Sequence, residues 1–155
     1  VNQNFTELYN IAASPYVLPV SPTSNKTYSI TSISDNTCTG VGSGTAAVVV
    51  TPIPTATISG TTSICAGSST NLNFVLTGNS PWTIVYNDGG SNTTIAGIVV
   101  GPYSVSVNPA SSKTYTLVSV NGGGCNGTTS GSAVVTVNPL ASPLCSCAAT
   151  AVLTG

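Results

Sequence analysis

One block of this chain occurs twice. Residues 101–139, GPYSVSVNPASSKTYTLVSVNGGGCNGTTSGSAVVTVNP, align without a gap to residues 14–52, SPYVLPVSPTSNKTYSITSISDNTCTGVGSGTAAVVVTP, 87 positions earlier. Pro15/Pro102, Tyr16/Tyr103, Lys26/Lys113, Tyr28/Tyr115, Cys38/Cys125 and Gly44/Gly131 coincide. Self-similarity at a fixed spacing marks a repeated structural unit. The 155 residues therefore read as two small domains rather than one large one.

Charge narrows the class of function. Lys26 and Lys113 stand against Glu7, Asp35 and Asp88, with no Arg and no His. Nucleic-acid binding needs cations to neutralise phosphates, so it is excluded. An anionic membrane surface is disfavoured for the same reason. Low charge alone would suit disorder, but disorder also needs low hydrophobicity. Here 41% of residues are apolar and Val, Ile and Thr are abundant, a β composition. No apolar run approaches the ~18 residues of a membrane span. No signal-like segment opens the chain, which reads as a mature or excised segment. A surface this poor in charge has little to keep copies apart.

Residues 55–139 carry seven short strand signals. Residues 55–60 (TATISG) give the first. In 71–77 (NLNFVLT), Leu72, Phe74 and Leu76 alternate with Asn71, Asn73 and Val75, the period of a half-buried strand. In 82–87 (WTIVYN), Trp82, Ile84 and Tyr86 share a face, and Asp88-Gly89-Gly90 turns the chain. Strands follow at 93–100, 103–108, 113–120 and 131–138, with a Gly-rich turn at 121–126. This spacing predicts an all-β fold of the immunoglobulin-like sandwich type, with no helix. Trp82 falls where such sandwiches bury a third-strand Trp, and Tyr115 resembles a tyrosine corner. Trp82, Tyr86, Tyr103 and Tyr115 are expected in the core; a sugar-stacking role for the aromatics is the sharper alternative.

The run SICAGSSTNLNFVLTGNSPWTIVYNDGG, followed by PYSVSVNP, SKTYTLVSV, GCNG and SGSAVVTVNP, resembles the Ig-like/PKD-like repeats of secreted Bacteroidetes surface proteins. These are adhesin and gliding-associated proteins exported by the type IX route. The resemblance covers residues 55–139 well and 5–54 in part. It implies an extracellular, cell-surface role that is structural or adhesive. The Asp-Ser/Thr-apolar site that such bacteria often O-glycosylate is missing, since Asp35 precedes Asn and Asp88 precedes Gly. Sequons stand at Asn4, Asn25, Asn92 and Asn126.

Cysteines in an extracellular chain are expected to pair. Cys65 precedes the second strand and Cys125 lies in the turn before the last, so the reading is a Cys65–Cys125 disulfide within one sandwich. It would close a loop of about 60 residues and contribute on the order of 4 kcal/mol. A metal site is disfavoured by the spacing and the lack of His. Cys145-Ser-Cys147 is not a CxxC redox motif, and a bridge across one residue would be strained.

Cys38, the repeat equivalent of Cys125, has no cysteine ahead of it. Residues 5–10 (FTELYN) match 82–87 (WTIVYN), now 77 positions apart, so Val1 reads as the start of a third strand. The missing piece stands at the other end: residues 151–155 (AVLTG) match 74–78 (FVLTG), with Cys145 and Cys147 upstream. The expected domains are therefore 1–54, incomplete; 55–141, complete; and 142–155, a strand segment completing the first domain of the next unit. Ala149, Ala151, Val152 and Leu153 would form that assembly strand, and Cys38 would bond Cys145 or Cys147 of the neighbour. Two pictures satisfy this: separate subunits joined by donor strands into an open filament, or one period of a longer tandem chain.

No chemistry competes with assembly. There is no imidazole base, the three carboxylates lie in three separate segments, and Gly122-Gly123-Gly124 is followed by no phosphate-binding Lys or helix. No catalytic residue, metal or cofactor is expected. The reading is a structural subunit of an extracellular filament or stalk whose partner is itself. The alternative is a glycan- or ligand-binding adhesin module of a larger secreted protein.

Overall fold

The computed structural model describes residue 8 and residues 10–145. The chain divides into two compact units, Val1–Val50 and Thr51–Gly155.

In the first unit the strands are Lys26–Ser29 (β1), Ser32–Ser34 (β2), Thr39–Val41 (β3) and Thr45–Val48 (β4). β1 runs antiparallel to β4, and β2 to β3, as two steps of a single hairpin. Its turn is shaped by Asp35, whose carboxylate accepts from the Thr37 amide (2.8 Å), the Thr37 hydroxyl (2.9 Å) and the Cys38 amide (2.7 Å). Short polar side chains hold turns in this way. None of the described residues 8–50 is buried.

The second unit contains Thr55–Ser59 (β5), Thr62–Cys65 (β6), Thr70–Thr77 (β7), Trp82–Asn87 (β8), Asn92–Ile98 (β9), Tyr103–Val107 (β10), Lys113–Gly122 (β11), Cys125–Asn126 (β12) and Thr128–Asn138 (β13). They form one sheet in the order β10-β7-β5-β13-β11-β8-β9, with β12 beside β11 and β6 beside β13. No helix occurs among the described residues. β13 is the seam. Its first part lies parallel to β5, with Thr128 opposite Thr55; its last part lies parallel to β6 and antiparallel to β11, with Asn138 opposite Cys65.

Alternation closes the sheet on itself. β5 and β7 bury every second residue, and Ala56, Ile58, Leu72, Phe74 and Leu76 point to one interior. Trp82, Ile84, Tyr86, Tyr115, Val120, Ala133 and Val135 line the same core from β8, β11 and β13. The Phe74 and Tyr86 rings, from the two halves, stand 5.8 Å apart. An all-β unit with one core between two sheet halves is consistent with a β-sandwich. The expected first strand, 55–60, is β5, and a further strand that was not expected, β6, follows it after Gly60 and Thr61; the two pair with different parts of β13.

The repeat is visible in the pairing. Lys26↔Val48, Thr27↔Ala47, Tyr28↔Ala46 and Ser29↔Thr45 in the first unit become Lys113↔Val135, Thr114↔Val134, Tyr115↔Ala133 and Thr116↔Ser132 in the second. Ser34↔Thr39 likewise becomes Asn121↔Asn126. Every pair shifts by 87 on both strands. Gly44 and Gly131 both hold positive φ, 96° and 82°, where a side chain would be strained. The two copies fold into the same hairpin.

Candidate functional site

The functional candidate is the difference between these two hairpins. In the second unit, β8 covers the free edge of β11, β5 and β6 cover that of β13, and β7 faces them across the core. Val120 is 1% exposed there, and Tyr115, Ala133 and Val135 are buried. In the first unit the residue matching Val120 is Ile33, 66% exposed. Ala46, matching Ala133, is exposed, and Tyr28 and Val48 are only half-covered. Among the described residues, no strand pairs with the outer edge of β1 or β4. Residues 16–20, matching the edge strand β10, have no strand pairing and leave Tyr16 51% and Leu18 43% exposed. A bare two-stranded hairpin is marginal in water, and an apolar strand face left open is a place for another strand to add.

The cysteines correct the expected pairing. Cys65 bonds Cys145, not Cys125, with Cα atoms 5.6 Å apart. The reason lies in β13. Cys65 sits opposite Asn138 at its end, whereas Cys125 lies just before its start. Ten steps of roughly 3.3 Å along the strand separate those ends by about 33 Å, far beyond the ~7 Å that a disulfide allows between Cα atoms. The Ala66 amide donates to the Asn138 carbonyl (2.8 Å), and turns at Ser142 and Cys145 bring Cys145 back to Cys65. Cys145 is thus committed within its own chain and is not available to Cys38. Cys38 and Cys125 are unbonded among the described residues. Cys147, Phe5 and the proposed assembly residues Ala149, Ala151, Val152 and Leu153 lie outside the described residues.

Trp82, Tyr86 and Tyr115 are buried as expected, and Tyr103 packs half-buried against the same core. The Trp82 indole donates to the Thr77 carbonyl (2.9 Å). With their faces inside, Trp82 and Tyr86 offer no platform for a sugar. Gly122 is a core requirement that strand alternation did not reveal: a Cβ there would run into Trp82 Cδ1 and the Asn79 carbonyl.

Electrostatics stabilise the complete unit locally. Asp88 accepts from the Gly90 amide (3.0 Å) and the Ser91 amide (2.7 Å) and pairs with Lys113. The Lys113 hydrogen bond, followed by those two amides, holds the Asp88 carboxyl down at about 2. The same hydrogen bond raises the Lys113 ammonium above its ordinary value. This is a turn clamp joining β8, β9 and β11. A shallow polar depression of about 450 Å³, lined by Thr62, Thr70, Asn71 and Ser106 among others, is open to solvent. No cluster of metal-ligating side chains occurs among the described residues.

No family model matches the chain, and no curated protein matches it.

Proposed function

We propose that this protein is a structural subunit of an extracellular filament or surface stalk, built from Ig-like units joined head to tail. The last strand of one copy completes the first unit of the next. The observation that carries this reading is the repeated hairpin, buried on its inward face and flanked at both edges in one unit and uncovered in the other at the same register.

Chain direction supports it. The chain enters the second unit beside the start of β13, where the Thr128 amide donates to the Pro54 carbonyl (3.1 Å). Cys145 is bonded to Cys65 beside the end of β13. The entry and Cys145 therefore lie at opposite ends of β13, as a head-to-tail chain of units needs, and a heterologous joint that does not close propagates indefinitely. The disulfide fits an oxidising, extracellular setting. Since Cys145 is bonded to Cys65, it does not lock the joint to Cys38, and strand pairing and apolar burial are the forces that hold the joint.

The test is to image the full chain and to weigh it under denaturing, non-reducing conditions. The expected result is a thin unbranched fibre that dissociates to 15.3 kDa chains without reductant. A fibre made of one very long polypeptide would contradict separate subunits. A monomer that never assembles would contradict the function.

A further inference from the structure

The repeat register reaches further than the hairpin and identifies which strand of the first unit receives the incoming one. In the second unit the edge strand β10 pairs antiparallel with β7, placing Tyr103 opposite Phe74, Val105 opposite Leu72 and Val107 opposite Thr70. The 87-residue shift that carries one hairpin onto the other carries β10 onto residues 16–20. The match of AVLTG to FVLTG carries β7 onto the tail, 77 positions later. Resting on the head-to-tail reading above, we infer that residues 16–20 are the acceptor strand for the tail of a second copy, antiparallel, with Tyr16 opposite Ala151 and Leu18 opposite Ala149.

Two features of the chain fit this register. Tyr16, Leu18 and Val20 take the positions of Tyr103, Val105 and Val107, which face the core, yet all three are exposed in the first unit. Pro19 stands where Ser106 stands, on a strand at the sheet's edge. Edge strands are where proline is accommodated, because an outward N–H needs no partner.

The register also settles the fate of the remaining thiols. It sets Cys147 where Thr70 stands, opposite Val20. Cys38 sits where Cys125 stands, at the hairpin turn near the other end, because Thr77 and Thr128 both pair with Thr55. Seven residues of strand, about 23 Å, separate those positions. A bond between Cys38 and Cys147 of the neighbour therefore does not form, and Cys38 stays a thiol in the assembly.

Mixed single-cysteine chains test this directly. In full-length protein with Cys38, Cys125 and Cys147 changed to Ser, a Leu18→Cys chain is mixed with an Ala149→Cys chain and oxidised gently. Residues directly opposite have Cβ atoms about 4.5–5.5 Å apart, so a covalent heterodimer is expected. Val17→Cys with Ala149→Cys, one residue out of register and on the other face, should give at least ten-fold less. Fibres that form normally but cross-link equally in both mixtures, or in neither, overturn the register while leaving head-to-tail assembly intact. Failure of the unsubstituted chain to assemble overturns both. Hydrogen exchange on the unsubstituted chain gives an independent reading: amides in residues 16–20 should slow at least ten-fold on assembly, and unchanged rates overturn the inference.

Discussion

At the scale of single residues, the second unit is held by a few contacts whose removal has distinct signatures. Gly122 lies against Trp82, so Gly122→Ala forces the indole or the strand to move and should cost about 1–3 kcal/mol. Denaturant unfolding of the second unit would show a lowered midpoint, and an unchanged midpoint would mean the indole has room to shift. Asp88 gives a pH signature. Its carboxyl titrates at about 2 when folded, below the ordinary 3.8, so its stabilisation is fully present above pH 4 and is lost as pH falls toward 2. Asp88→Asn should therefore lower the melting temperature at pH 7 and leave it nearly unchanged relative to the native chain at pH 2. A constant difference across that range would assign the effect to packing instead. Cys65 is the third case. Its bond to Cys145 closes a separation of 80 residues, worth about 4.5 kcal/mol on chain-entropy grounds. Cys65→Ser should cost roughly that amount, whereas Cys125→Ser should cost almost nothing. Equal losses would restore the pairing that the sequence first suggested.

At the scale of elements, the hairpin was the most legible part of the chain. Strict period-2 alternation in residues 71–77 and 82–87 specified which side chains enter the core, and Phe74, Ile84 and Tyr86 are buried accordingly. Gapless self-similarity specified the second hairpin, and its register follows to the residue. The disulfide was misread because spacing along the chain does not say at which end of a strand a cysteine lies. Only the parallel pairing of β6 with the end of β13 decides it, and β6, four residues beyond Gly60 and Thr61 with no clear alternation, lay outside the strand signals. Gly122 was hidden too, since alternation tells which residues face inward but not how closely a ring approaches the backbone. The same hairpin gives a paired test. Phe74→Ala should destabilise the second unit by about 3–5 kcal/mol, because it empties a fully buried site. Ile33→Ala should change the stability of the unassembled chain by less than about 0.5 kcal/mol, since Ile33 is exposed there, yet weaken assembly. An Ile33 variant that polymerises as well as the native chain would show that this face is not buried in the joint.

At the scale of the molecule, two copies of one hairpin sit in opposite circumstances. One has a closed core, a disulfide and an ion-paired turn; the other has apolar residues facing solvent. Near-absence of charge leaves little electrostatic opposition to contact between copies. The proposed joint should accordingly respond little to salt. Sedimentation of the full chain over a wide range of concentrations tests the central claim most directly. Head-to-tail assembly predicts a mean mass that climbs without a plateau as concentration rises, in multiples of 15.3 kDa. A single 15.3 kDa species throughout, or a mass that levels off at a closed oligomer, would contradict it.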